Sequence, residues 1–142
     1  MVRLSLVPDH PSDRTWDVEV NLGVAHVSVA QAVATALAID LDFDLEAVDE
    51  VRIATIEVCA ELAGHAAPQA ILHLVFDAHD DALEVAAHLE SDDYLWLEHV
   101  DPDVVRALTD TVTRSAEGPA VGGTHILRTS FRKVRTPDSP VS

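Results

Sequence analysis

The segment from Leu45 to Ala66 constrains this chain most, because its apolar residues leave almost no side of a helix free. Val48, Val51, Ile56, Val58, Cys59 and Leu62 cover most of the circumference at a period of 3.6. A helix of that kind is mostly buried, so the rest of the chain must cover it. Asp44 stands where a helix N-cap belongs, and Gly64 and Pro68 end the pattern. At 142 residues, 48% of them hydrophobic, the chain has enough apolar material for one such core.

The other elements follow from local patterning. Trp16, Val18 and Val20 alternate with Asp17, Glu19 and Asn21, which predicts a half-buried strand. Ser28, with Gln31 three residues later, reads as a capping box opening an alanine-rich helix to Ile39. Ile71–Phe76 and Leu83–Leu89 predict two strands joined by the polar turn at His79, Asp80 and Asp81. Asp101-Pro102 opens a helix to about Thr111, Val112 marks a short strand, and Gly118–Gly123 is a turn before a long last strand, Thr124–Val134. Pro8 and Pro11 assign residues 1–15 to a flexible leader, and two more prolines assign 135–142 to a flexible tail. Residues 16–134 then form a single α+β domain. It is a two-layer sandwich, a mixed or antiparallel sheet covered on one face by about three helices.

Charge limits the function classes. Nine basic against 25 acidic residues give a formal net charge of -16. Such a surface repels phosphates, which disfavours nucleic acid and anionic membrane and favours a basic protein partner. The single cysteine, Cys59, cannot form a disulfide within the chain, and no apolar run is long enough for a membrane helix. The expected setting is the cytoplasm.

On the long helix, Glu57 and Glu61 are four apart and share a face, with Glu50 near the same line. A carboxylate stripe on an apolar helix faces water, a cavity or cations. Asp40, Asp42 and Asp44 do not form a calcium loop, because Leu41, Phe43 and Leu45 fill the gaps and no glycine holds the sixth position. Cys59, on an apolar helix face, reads as an inert core thiol. His73 and His88 fall on opposite strands of the hairpin and can approach each other, but spacing fixes no third ligand beside them.

The run Val51-Arg52-Ile53-Ala54-Thr55-Ile56-Glu57-Val58-Cys59-Ala60-Glu61-Leu62-Ala63-Gly64-His65-Ala66 resembles the first nucleotide motif of the GHKL ATPase superfamily. It is closest to serine-kinase anti-sigma factors of the RsbW/SpoIIAB type, in a divergent actinobacterial form. Glu57 matches the family's general base and His65-Ala66 its closing pair, and Gly122-Gly123-Thr124 precedes the last strand as in the family. The resemblance spans roughly residues 16–134 and implies a Bergerat, histidine-kinase-like ATPase fold, a homodimer, a sigma factor as target and an anti-anti-sigma protein of STAS type as competitor.

The nucleotide residues depart from the family. Glu61 stands where the family has a magnesium-binding asparagine, which makes Glu61 only a weak metal ligand beside Glu57. Between Gly64 and Gly118 there is no glycine to bring backbone close to phosphates, and between Arg52 and Arg106 there is no Lys or Arg. The resemblance therefore implies a vestigial pocket at Glu57, Glu61 and His65, with no cofactor. ATP and Mg belong only to the alternative of a serine kinase with Glu57 as base. A further alternative is a degenerate module binding another regulator. In place of the family lid stands Tyr94-Leu95-Trp96-Leu97, either folded back into the pocket or, through Tyr94 and Trp96, exposed as a partner anchor.

Overall fold

A computed structural model describes residues 2–6, 16–79, 81–93, 96–99, 101–119 and 123–136. Six strands form one sheet: β1 (Val2–Leu6), β2 (Trp16–Gly23), β3 (Ile71–His79), β4 (Ala82–Ser91), β5 (Thr111–Glu117) and β6 (His125–Val134), in the order β1-β2-β3-β4-β6-β5. Every neighbouring pair is antiparallel, which resolves the mixed-or-antiparallel expectation. Helices α1 (Ser28–Asp40), α2 (Leu45–Gly64), α3 (Trp96–His99) and α4 (Asp103–Leu108) complete the α+β fold.

The layering follows from strand alternation. Leu72, Leu74, Phe76 and Ala78 of β3 are buried, as are Leu83, Val85, Ala87 and Leu89 of β4, with Leu127 and Phe131 of β6 beside them. Against this face lie Val51, Ala54, Val58, Cys59 and Leu62 of α2 and Ala30, Ala34 and Ala38 of α1. The small alanine side chains let α1 lie close along α2. Desolvation pushes the Cys59 thiol up to about 12, so it is an inert core residue. Asp44 caps α2 as expected, its Oδ1 accepting the Ala47 N–H at 2.7 Å.

Several local expectations are corrected. Val2–Leu6, inside the expected leader, pairs with β2, Leu4 opposite Val18; residues 7–15 and 137–142 lie outside the described ones. Ser28 does not cap α1. A 3₁₀ turn over Val24–His26 runs straight into the helix, Val27 holds the cap position, and its carbonyl accepts the N–H of both Ala30 and Gln31. The helix after Asp101-Pro102 ends at Leu108, and the strand expected at Val112 is seven residues long. At the last turn a Cβ on Gly118 would meet the His125 ring at 2.6 Å, so only glycine fits there. The ring nitrogens of His125 reach the carbonyls of Pro119 (2.7 Å) and Gly123 (3.3 Å).

No helix among the described residues lies on the other sheet face. It carries two polar rungs separated by small or aliphatic residues, Val75, Ala86, Ser130 and Thr113. In one rung Asp17, Asp77 and Glu84 stand side by side on β2, β3 and β4. Burial, then the charge and hydrogen bond of the Asp17 carboxyl, hold Asp77 above the usual carboxylate range. A carboxyl raised in the folded state gives stability that is complete below about pH 4 and is lost as pH rises through the raised value. Asp77→Asn should therefore stabilise the protein at pH 7 and make no difference near pH 3. Thermal unfolding at the two pH values checks this, and no gain at pH 7 would refute it.

Candidate functional site

Residues of four elements meet beside the C-terminal half of α2. Because β5 alternates, Val112, Arg114 and Ala116 lie on the side of the buried Phe131 and Leu127, and Arg114 points into the helix layer. Its guanidinium donates to Glu61 Oε1 at 3.2 Å, with the two side chains 10% and 20% exposed. The same guanidinium lies 4.1 Å over the ring of Trp96, which opens α3. Trp96 has no exposed surface, and its indole N–H has no partner among the described residues. Glu61, Arg114 and Trp96 thus form one column from α2 through β5 to α3, held by charge at one end and by cation–π contact at the other.

The neighbouring carboxylates are also committed. Glu50 accepts from Lys133 Nζ at 3.2 Å, and the same ammonium donates to the Leu108 carbonyl at 2.9 Å. His65 Nδ1 lies 2.9 Å from Asp93 Oδ2, and the Asp93 N–H donates to Ser91 Oγ, also at 2.9 Å. Together with the Ala67 N–H on the Glu90 carbonyl, these contacts tie the end of α2 to the segment leaving β4. Glu57 is the exception. It is exposed and makes no ion pair among the described residues.

The structure thus divides the expected pocket. Glu61 and His65 face the segment after β4, but each is engaged by another side chain, and Glu57 stands apart on the exposed side of α2. The carboxylate stripe is neither a solvated seam nor an open floor; two of its three members are neutralised from the C-terminal strands. Trp96 is not a surface anchor, because it is the buried base of the Arg114 contact. Tyr94 lies outside the described residues. A Glu61 oxygen bonded to Arg114 is not presented to a cation, so these residues do not fit a nucleotide-bound magnesium ion.

Sequence reasoning missed Arg114 and Lys133. The search for countercharge covered the span from Arg52 to Arg106, whereas the cations come from β5 and β6. The available signal was a cation at an inward position of an alternating strand: Arg114 between Val112 and Ala116, and Lys133 two residues after Phe131.

No helix among the described residues is long and apolar enough to cross a membrane. No family model matches the sequence, and no curated protein matches it.

Proposed function

We propose that this chain is a regulator of the anti-sigma type that acts by protein contact and not by nucleotide chemistry. One observation carries the reading: Glu61, Arg114 and Trp96 are locked together where the resemblance would put the metal ion and the lid. A kinase would need Glu61 free for magnesium and an open cradle for phosphates. Here the cation nearest Glu61 is structural and the aromatic residue of the lid position is core.

The partner follows from charge. A surface of formal net charge -16 attracts a basic protein, and sigma factors carry basic DNA-binding helices. On this reading the chain sequesters a sigma factor in the cytoplasm as a homodimer in a Bergerat-type fold, and a STAS-type antagonist competes for it. Affinity capture at low salt from the source cell tests the idea. Recovery of a sigma factor, released by salt and retained by Glu57→Ala, is the expected result. Recovery of none at low salt sinks the assignment.

A further inference from the structure

We propose that His73 and His88, on the open face of the sheet, form a binding site for a divalent transition-metal ion of the Zn²⁺ or Ni²⁺ class. The two residues are directly opposite on β3 and β4, and their rings are stacked with centroids 4.8 Å apart and planes 18° apart. Both are half-buried, so the rings are held by neighbours yet reachable from solvent.

The pair is prepared as metal ligands in two ways. His73 Nδ1 lies 2.5 Å from the side-chain oxygen of Asn21, an acceptor, so the proton is on Nδ1 and the lone pair on Nε2. A fixed tautomer of this kind, with the far nitrogen hydrogen-bonded to an oxygen, is what orients a ligating imidazole. The ring of His88 has no hydrogen bond among the described residues, so its nitrogens are open to a ligand.

No three His, Cys, Asp or Glu side chains are already gathered at one point among the described residues, so the site begins as a two-imidazole one. The third ligand is Glu90, exposed on the same face of β4 two residues beyond His88. That places it about 7 Å along the strand and on the diagonal from His73, within reach of a long side chain. Two imidazoles and a carboxylate, completed by water, suit a borderline divalent ion. His73 stays on Asn21, and the broad ring torsion of histidine lets His88 turn a ring nitrogen toward His73 Nε2.

The same geometry names an opponent. Arg128 stands opposite His88 on β6, with its guanidinium 3.6 Å from Glu117, and its charge works against a bound cation. Its removal must therefore tighten binding. Two other histidines are engaged elsewhere: His65 by Asp93 and His125 by two carbonyls.

Calorimetric titration of Zn²⁺ into the full chain at pH 7.5 tests the site. One ion per chain is expected, weakened at least tenfold by His73→Ala or His88→Ala and several-fold by Glu90→Gln. Arg128→Gln should tighten it several-fold, and His79→Ala should leave it unchanged. Ni²⁺ added to the unaltered protein should selectively broaden the imidazole NMR signals of His73 and His88, a readout that does not depend on any variant folding. No binding, binding indifferent to both histidine substitutions, or broadening elsewhere instead would overturn the proposal.

Discussion

Glu61→Ala is expected to destabilise the domain by about 3 kcal/mol, at the low end of the range for breaking a buried ion pair. The cost comes less from the lost attraction than from what is left. Arg114 is 10% exposed, so without Glu61 its charge loses a carboxylate partner while staying largely out of water. The value is at the low end because Glu61 itself keeps 20% of its side chain in solvent. Urea unfolding should show a lower midpoint with an unchanged slope. Glu61→Gln, which can still accept from the guanidinium, should lose less. Replacing both partners, as Glu61→Leu with Arg114→Met, should recover most of the loss, since an apolar pair of similar volume leaves no unpaired charge. If Glu61→Ala is neutral, the column does not hold the site together.

Trp96→Ala should cost about 3–5 kcal/mol, the range for emptying a large buried aromatic site. Trp96 is the largest fully buried side chain among the described residues, and it supports both the core and the Arg114 guanidinium. Its buried indole N–H has no partner among the described residues, an arrangement that costs about 1–3 kcal/mol. Trp96→Phe removes that N–H and keeps most of the ring, so it should be far milder than Trp96→Ala. Chemical denaturation of the two variants checks the order. A double-mutant cycle between Trp96 and Arg114 should return a coupling of about 0.5–2 kcal/mol. A coupling near zero would mean that the stacking contributes nothing.

Much of the fold was legible because it is written in local periods. The apolar girth of α2, the Asp44 cap and the alternation of β3 and β4 each depend on residues a few positions apart. The misreadings have equally local causes. Val2, Leu4 and Leu6 alternate with Arg3 and Ser5, but Pro8 and Pro11 beyond them suggested a leader. Ser28 and Gln31 have the spacing of a capping box, yet the Val27 carbonyl, just after the 3₁₀ turn, accepts the N–H groups of Ala30 and Gln31.

The site was less legible because its contacts are long-range. Glu61 meets a partner 53 residues away and Glu50 one 83 residues away, separations at which no periodicity speaks. Charge counting in a window therefore gave the right scarcity and the wrong consequence: the carboxylates are not short of cations. Trp96 sits in an acidic, loop-like stretch for which the sequence left a folded-back and an exposed reading open, and its burial under Arg114 decides for the first.

On the proposed reading, the Glu61–Arg114–Trp96 column takes the place of a nucleotide site. Calorimetric titration of ATP with magnesium into the purified protein tests it most directly. The account predicts no binding at millimolar nucleotide and no change in thermal stability. Micromolar binding, lost in Glu57→Ala, would contradict it.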